Sequence, residues 1–292
     1  MTLYLGAPMW GLKLWVGNFF PVKAKPRDFL SLYSRRLNTV EGNTTFYALP
    51  KGSSVERWAK ETPEGFHFCF KFPKKISHEK RLRDVQDEVS LFFKVMSPIE
   101  SRVGPFFLQL PPSFSITSLP LLEAFFQQLP SDFKYAVEVR HPSFFDEAEG
   151  EQRFHDLLRR QRVNLVSFDT QELHSAGTDD LATLEAQQRK PKAPLRSIAT
   201  ATSPLVRFVG HPDNARNLPA LERWAKIVNQ WIIQGHTPYI FLHTPDDVYA
   251  PQLARDFHRL LCVHAPKVGT VPPWPGESLS RDGSQQQLPL FL

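Results

Sequence analysis

The sequence has few cysteines, few glycines and no long apolar run. Only 2 of its 292 residues are cysteine and 14 are glycine. A disulfide framework is therefore not expected, and a reducing compartment is the natural interpretation. No window approaches the run of about 18 apolar residues that a transmembrane helix needs. The first residues also lack a basic region ahead of an apolar stretch, as a secretory signal would have. We therefore expect a cytoplasmic protein without a membrane segment.

Proline and phenylalanine are abundant instead, with 26 and 24 residues. Hydrophobic residues make up 41% of the chain and charged residues 22%, which supports a sizeable core and excludes a disordered chain. The formal net charge is +5. This modest surplus permits contact with phosphates but does not require it.

Short apolar runs alternate with amphipathic segments along the chain. In the segment 220–234, for example, Leu221, Trp224 and Val228 recur at helical spacing. Eight such units predict a TIM-type (β/α)₈ barrel with parallel strands. An open doubly wound sheet is the alternative, but the usual glycine-rich turn does not follow the first strand. The predicted strands are 3–6, 37–43, 66–72, 106–110, 135–140, 164–169, 205–209 and 239–243, and the helical segments include 84–96, 119–128, 152–162, 220–234 and 251–262.

Two segments break this rhythm. Residues 171–204 are longer than one helix connection needs, and 187–196 contains four basic residues and no acidic one. We expect an inserted helix and a basic loop over one side of the barrel mouth. The end of the chain is rich in Pro, Gly, Ser and Gln, which predicts a barrel over 1–266 and a flexible tail over 267–292.

Polar side chains end nearly every predicted strand. Residues i and i+2 of a strand share a face, so Glu41 with Asn43, and Glu138 with Arg140, point the same way. Such groups are least costly at the open C-terminal mouth of the barrel lumen, where barrel active sites lie. The predicted ligand-binding residues at or near this mouth are Trp10, Asn43, Tyr47, Lys71, Gln109, Arg140, His141, Asp169, Arg207 and His243.

Five motifs in order give the chain a family resemblance. They are Trp15-Val16-Gly17-Asn18-Phe19-Phe20-Pro21, Val40-Glu41-Gly42-Asn43, Phe70-Lys71-Phe72-Pro73 with Ser77-His78-Glu79, Leu108-Gln109-Leu110-Pro111-Pro112 and Val137-Glu138-Val139-Arg140-His141-Pro142-Ser143. Over about residues 3–265 the chain resembles the YecE-like family, the seventy-second numbered domain of unknown function. The resemblance implies a TIM-type barrel and leaves the reaction open. Gly42 and the segment Phe241-Leu242-His243-Thr244 are similar to the enterobacterial YecE branch, whereas the commoner family pattern has an aromatic residue and paired Asn in strand eight.

Glu41, Glu138 and His78 are the candidate catalytic residues. The two carboxylates, three strands apart, could flank a ligand as in a hydrolase acting on phosphate-containing or glycosidic substrates. The alternative is that Arg140 or Lys71 holds Glu138 in a structural ion pair. His78 could act as a general acid or a phosphate ligand, or could merely pack beside a helix cap.

Lys71, Arg140 and Arg207 predict recognition of an anionic, sugar- or nucleotide-like ligand. The alternative is that they neutralise the nearby carboxylates. A Schiff-base role for Lys71 is a further possibility. Of the aromatic residues expected around the mouth, two or three should touch the ligand. These residues are Trp10, Trp15, Phe19, Phe46, Tyr47, Phe144 and Phe145.

A metal site receives little support, and no metal ligand is assigned. The available ligands show no tight spacing and come from separate loops. They are Glu41, Glu138, Asp169, His78, His141, His211, His243 and Asp246. A divalent metal therefore stays an open alternative, and no other cofactor is predicted.

The chain ends in Gln287-Leu288-Pro289-Leu290-Phe291-Leu292. This segment resembles the motif Gln-Leu-x-Leu-Phe with which bacterial polymerases and repair proteins dock on the replication sliding clamp. Leu290 and Phe291 would fill an apolar pocket, Leu288 would accompany them, and Gln287 would bond at its edge. The motif predicts a non-enzymatic replication or repair accessory protein, with nucleic acid as a further partner. The alternative is a tail that folds back onto its own barrel.

Overall fold

Eight parallel strands form the centre of the computed structural model, which describes residues 3–146, 148–177 and 180–279. All eight predicted strands are confirmed, four of them one to three residues shorter than predicted. Around the sheet the order is β3-β2-β1-β8-β7-β6-β5-β4, so that strands adjacent in sequence are adjacent in space. The strands are β1 (Tyr4–Ala7), β2 (Thr39–Gly42), β3 (His67–Phe70), β4 (Phe106–Gln109), β5 (Tyr135–Glu138), β6 (Val163–Asp169), β7 (Leu205–Val209) and β8 (Tyr239–His243).

The sheet closes where β3 meets β4. The amide of Gly104 donates to the carbonyl of Phe68 at 2.9 Å, and the amide of Phe72 donates to the carbonyl of Phe107 at 3.0 Å. Lys71 and Phe107 form a parallel bridge between these hydrogen bonds. The TIM-type barrel is thereby confirmed over the open doubly wound alternative, because a doubly wound sheet keeps two free edges.

Helices surround the barrel, and the predicted amphipathic segments are among them. α9 shows why they form: Pro219 stands in its first turn, and Leu221, Trp224 and Val228 lie on its buried face. Among the described residues, no helix combines the length and apolar character needed to cross a bilayer. The helices are α1 (Phe29–Ser34), α2 (Thr44–Tyr47), α3 (Gly52–Glu61), α4 (Gln86–Met96), α5 (Leu119–Gln127), α6 (Glu149–Arg160), α7 (Gln171–Ser175), α8 (Leu181–Arg189), α9 (Leu218–Ile233), α10 (Ala250–His264) and α11 (Pro275–Leu279).

Strand alternation divides the apolar core in two. One set of side chains packs between strands and helices, and a smaller set fills the lumen. At the N-terminal end of the lumen the rings of Tyr4, His67 and Tyr239 stack, with centroids 4.2 Å apart for Tyr4 and His67 and 4.5 Å apart for the two tyrosines. The lower lumen is thus packed with side chains. The lumen set is Tyr4, Cys69, Phe107, Ala136, Val166, Leu205, Tyr239 and Phe241.

The first part of the segment assigned to the tail packs on the barrel. Val268 and Trp274 are buried, and Arg255 of α10 donates to the carbonyls of Val271 and Pro272, each at 2.6 Å. The guanidinium carbon of Arg255 also lies 4.2 Å from the centre of the Trp274 ring. Residues 280–292, with Gln287, Leu288, Leu290 and Phe291, lie outside the described residues.

The close approach of β1 and β2 requires glycine at position 6. A Cβ atom there would lie 2.3 Å from the carbonyl oxygen of Thr39, whereas a Cβ at Gly11 would meet nothing within 4 Å. We expect Gly6→Ala to lower the free energy of unfolding by about 1–3 kcal/mol, as overpacking does. The matched control Gly11→Ala should change it by about 0.5 kcal/mol or less. Urea denaturation of both variants measures this, and equal losses would contradict the expectation.

Candidate functional site

A cavity of about 650 Å³ opens at the C-terminal ends of the strands. Its floor consists of polar side chains at the strand ends, and its walls come from the loops after β1 and β2 and from the segment that follows α8. This is the mouth at which the sequence places the candidate site. The lining residues at the strand ends and just beyond them are Glu41, Asn43, Lys71, Gln109, Arg140, Arg207 and His243.

Arg207 occupies the centre of the cavity floor. Its Nε and Nη2 atoms donate to both carboxylate oxygens of Glu41, at 2.8 and 2.7 Å. Its Nη1 atom donates to the carboxylate of Glu138. All three side chains are buried, and they join β2, β5 and β7 across the lumen. One guanidinium therefore bridges the two carboxylates that could have flanked a ligand.

Both carboxylates also have further hydrogen-bond donors. Asn43 donates to Glu41 at 2.7 Å, and the Nε2 atom of His243 lies 3.2 Å from its other oxygen. Arg140 donates to Glu138 through Nε at 2.8 Å. The ion pair of Arg140 with Glu138 that the sequence offered as an alternative is thus present.

These contacts keep both carboxylates ionised. Burial by itself would raise their pKa values, but Arg207 together with His243 brings the pKa of Glu41 well below its usual value. Arg207, Arg140 and Lys71 outweigh burial in the same way and lower the pKa of Glu138 to about 2. At neutral pH neither group has a proton to donate, so their geometry suits electrostatic support of the site better than general-acid catalysis.

Lys71 follows β3 and is only 6% exposed. Its Nζ atom donates to the amide oxygen of Gln109 at 2.5 Å and lies 4.5 Å from the centre of the Phe46 ring. Burial, reinforced by the positive charge of Arg207, lowers the pKa of Lys71 to about 7. This side chain therefore exchanges its proton near neutral pH.

Three aromatic residues form an apolar wall beside these charges. Trp10, Phe46 and Tyr47 line the cavity, and Tyr47 is 81% exposed. Trp10 is held edge-on against Trp58, with ring centroids 5.3 Å apart. The other aromatic residues expected at the mouth lie elsewhere: Trp15, Phe19 and Phe144 are buried in the core between sheet and helices, and Phe145 packs beneath Arg196.

Asp169 does not reach the cavity. Its carboxylate accepts hydrogen bonds from the indole of Trp224 at 2.8 Å and from the amide of Gln171 at 3.1 Å, on the helix side of the barrel. The preceding residue, Phe168, takes the lumen position beneath Arg207. Because neighbouring strand residues point to opposite faces, Asp169 must point outward.

Two of the predicted histidines lie at or beyond the edge of the site. His141 caps the turn after β5, where its Nδ1 atom accepts from the amide of Ser143 at 3.2 Å. His78 lies in a short π-helical turn over Lys75–Glu79, edge-on to Phe46 with ring centroids 5.0 Å apart. Burial and the nearby Lys71 lower the pKa of His78 to about 4, so its imidazole is neutral at physiological pH.

The basic segment expected over the mouth reaches the cavity through Arg189, the last residue of the inserted helix α8, and Lys190, which follows it. Within the described residues the Lys190 ammonium has no hydrogen-bond or ion-pair partner, and burial lowers its pKa. Asp247, after β8, also lines the cavity, and burial raises its pKa. The run of basic residues without an acidic one in 187–196 predicted that cations would lie at the mouth. No pattern in the sequence indicated that Asp247 would line the cavity.

The carboxylates and histidines do not assemble a metal site in the part of the chain that the structure describes. No three His, Cys, Asp or Glu side chains there are close enough together to hold one ion. Among the candidate ligands, Glu41 and Glu138 contact Arg207, and His211 lies 3.1 Å from Arg216.

Comparisons with a family model and with known proteins agree on one family for this chain. The model of the family described as "Protein of unknown function DUF72" matches residues 4–278. UPF0759 protein YecE of Escherichia coli strain K12 is 42% identical over 276 residues, which cover 94% of this chain and 98% of YecE. UPF0759 protein YunF of Bacillus subtilis strain 168 is 28% identical over 151 residues, covering 49% of this chain and 52% of YunF.

Solved structures of DUF72 family proteins share the fold. The protein from Enterococcus faecalis V583 superposes with a TM-score of 0.69 at 18% identity, covering 94% of this chain and 99% of that one. The protein from Thermotoga maritima MSB8 gives 0.68 at 23% identity, covering 89% and 99%. At these identities the likeness concerns the barrel fold alone.

The charge cluster generates a prediction for stability against pH. Removing Arg207 takes away the positive charge that two buried carboxylates share. Arg207→Met should therefore lower the free energy of unfolding at pH 7.5 by about 3–5 kcal/mol. In the wild type the low folded-state pKa values contribute stability above the unfolded-state value of 4.5, and this is lost as the pH falls toward about 2. In the variant, burial favours the protonated carboxyls, so its stability should rise from pH 7.5 to pH 5.

Urea denaturation of both proteins at pH 7.5 and pH 5 measures this difference. The control is Arg159→Met, which removes an exposed ion pair with Asp156 at 2.9 Å and should cost about 0–1 kcal/mol at either pH. The difference in free energy of unfolding between wild type and Arg207→Met should be larger at pH 7.5 than at pH 5. An equal difference at the two pH values would contradict the assignment of two ionised carboxylates.

Proposed function

We propose the following function for this chain, which belongs to the DUF72 family: it binds an anionic ligand with a sugar- or nucleotide-like ring at the C-terminal mouth of its barrel. The observation that carries the proposal is the charge of the cavity lining. Five basic side chains line it against two carboxylates, and a third carboxylate, Glu138, is buried beside them. The basic residues are Lys71, Arg140, Arg189, Lys190 and Arg207, and the lining carboxylates are Glu41 and Asp247.

The positions of these charges support the binding of an anion more strongly than their number does. Arg207 balances Glu41, and Arg140 balances Glu138, so the ion pairs in the floor are nearly neutral. Lys190 faces the same cavity and has no partner among the described residues. An anion placed beside Lys190 would gain a charge-assisted contact without having to break an existing ion pair.

The aromatic wall supports a ring next to the anionic group. The Lys71 ammonium lies 4.5 Å from the centre of the Phe46 ring, and Tyr47 and Trp10 extend the same wall. A ligand whose anionic group meets the basic residues would therefore bring an attached ring against these faces. A sugar or a base is the ring that such a wall accommodates.

A hydrolase acting on phosphate-containing or glycosidic substrates receives less support than binding. For glycosidic substrates, hydrolysis by a pair of carboxyls requires one of the two to hold a proton. Glu41 and Glu138 are ionised and bridged by Arg207. Their proposed role is to hold Arg207. His78 is neutral and lies at the edge of the cavity, so it is poorly suited to act as a general acid.

Calorimetric titration with ribose 5-phosphate and with ribose tests the binding function. We expect ribose 5-phosphate to bind more tightly than ribose, and Lys190→Met to weaken binding of ribose 5-phosphate about tenfold, since a hydrogen bond to a charged group contributes about 1.5–3 kcal/mol. The matched control is Lys94→Met on the exposed face of α4, which should leave the affinity unchanged. Equal affinities for the two sugars, or equal effects of the two lysine variants, would contradict the proposal.

We propose as a second function that the C-terminal motif recruits the chain to the replication sliding clamp. The supporting observation is sequence alone: Gln287, Leu288, Leu290 and Phe291 match the spacing of clamp-binding peptides. A barrel tethered in this way would act as an accessory protein at sites of replication or repair. This function does not depend on chemistry in the barrel mouth.

Surface plasmon resonance with immobilised bacterial sliding clamp tests the second function. The full chain should bind, and the double variant Leu290→Ala/Phe291→Ala should lose binding, because it removes the two side chains that fill the apolar pocket. The matched control Gln285→Ala/Gln286→Ala changes two residues of the same segment outside the motif and should bind as the wild type does. Binding that survives in the Leu290/Phe291 variant, or no binding by the wild type, would exclude this function.

A further inference from the structure

We infer that Lys71 is a nucleophile that forms an imine with a carbonyl group of the ligand, so that the substrate class is an anionic aldehyde or ketone. This inference rests on the proposed function, because the anionic group must bind before the carbonyl can be presented to Lys71. It assigns to the cavity a covalent chemistry that does not require either carboxylate to donate a proton.

The position of Lys71 fits this role. It lies directly after β3, at the junction where β3 and β4 close the barrel. Its Nζ atom is fixed by the hydrogen bond of 2.5 Å to Gln109 and covered on one side by Phe46. A lysine held in this way loses little freedom on reaction, and Phe46 shields the nitrogen from bulk water.

The surroundings of Lys71 favour its neutral, nucleophilic form. Burial is the largest effect, and it lowers the pKa of Lys71 to about 7. Positive charges from β7 and the end of β5 act in the same direction, whereas the two buried carboxylates oppose them. The charged and titratable groups around it are Arg207, Arg140, Glu138, Glu41 and the neutral His78.

Lys190 is the competing nucleophile in the cavity. It belongs to the segment after α8, and its ammonium is not fixed by any partner among the described residues. Burial lowers the pKa of Lys190, and the nearby carboxylate of Asp247 opposes this shift and favours the charged form. Lys190 is therefore better suited to attract the anionic group, which leaves Lys71, deeper in the mouth, to meet the carbonyl.

The reaction balances without an added oxidant or reductant. The lone pair of the neutral Nζ attacks the carbonyl carbon, and the C=O π electrons move to oxygen. A proton passes from nitrogen to that oxygen and gives a carbinolamine. The nitrogen lone pair then forms the C=N bond as hydroxide leaves, and the hydroxide takes the remaining nitrogen proton, so that the products are the neutral imine and water.

Pyridoxal 5′-phosphate is a suitable probe, because it combines an aldehyde, a phosphate and a planar ring. The full chain is incubated with a limiting amount of the probe at pH 7, reduced with sodium borohydride, digested and examined by mass spectrometry. We expect Lys71 to be the main modified lysine, about tenfold above the exposed lysines, because at pH 7 roughly half of its side chains are neutral. Modification of Lys71 should rise to half of its maximum near pH 7.

Pyridoxine 5′-phosphate, which carries an alcohol in place of the aldehyde, separates the two proposals. It should bind in calorimetry and protect Lys71 from the probe. If pyridoxine 5′-phosphate binds but pyridoxal 5′-phosphate does not modify Lys71, the imine inference fails while the binding function stands. If neither compound binds, both fail.

Two variants complete the test. Lys71→Met should remove the main modified peptide, and the matched Lys94→Met should leave it unchanged. Because the wild-type peptide map locates the reaction by itself, the outcome does not depend on folding of the Lys71 variant. Modification mainly at Lys190, or spread evenly over exposed lysines and unaffected by pyridoxine 5′-phosphate, would overturn the inference.

Discussion

The ion-pair cluster of Arg207 with Glu41 and Glu138 is the interaction on which the rest of the site depends. It joins β7 to β2 and β5 across a lumen whose lower part is packed mainly with apolar and aromatic side chains. Burying three charges is costly, and the cost is met here because every carboxylate oxygen has a donor. A cluster of this kind contributes little net stability, but it defines the floor of the mouth, since removal of Arg207 takes away the counter-charge that both buried carboxylates share.

This cluster also decides which groups can do chemistry. For Glu41 and Glu138, attraction to the arginines outweighs burial, and the carboxylates stay charged. For Lys71 the balance is reversed, because burial and the same arginine both disfavour its positive charge. Arg207 thus keeps Glu41 and Glu138 ionised, so that neither can donate a proton at neutral pH. Together with burial, it also lowers the pKa of Lys71. Lys190, which has no ion-pair partner among the described residues, also lines the cavity.

The residues by which the chain resembles the YecE branch lie beside this cluster. His243 contacts the carboxylate of Glu41 at 3.2 Å, and Gly42 follows Glu41 in β2. A Cβ atom on Gly42 would meet the ring of Phe70 at 2.4 Å, so glycine suits the packing that surrounds the mouth. The solved DUF72 barrels show that the scaffold persists at low identity. Of these two residues, His243 lines the cavity and Gly42 lies in β2 against Phe70.

The sequence by itself determined the barrel and most of the residues at its mouth, because hydrophobic periodicity and polar strand ends are local properties. It could not assign Asp169 to the helix side, since β6 is buried on both faces and its alternation is invisible in the sequence. Nor could it show that Arg207 would bridge Glu41, 166 residues away, and Glu138, 69 residues away. Strand register around the closed sheet decides those contacts, and with them burial and pKa. Only the tertiary structure therefore separated the ion-paired groups of the floor from Lys71, whose pKa is lowered to about 7 by burial and by the charge of Arg207.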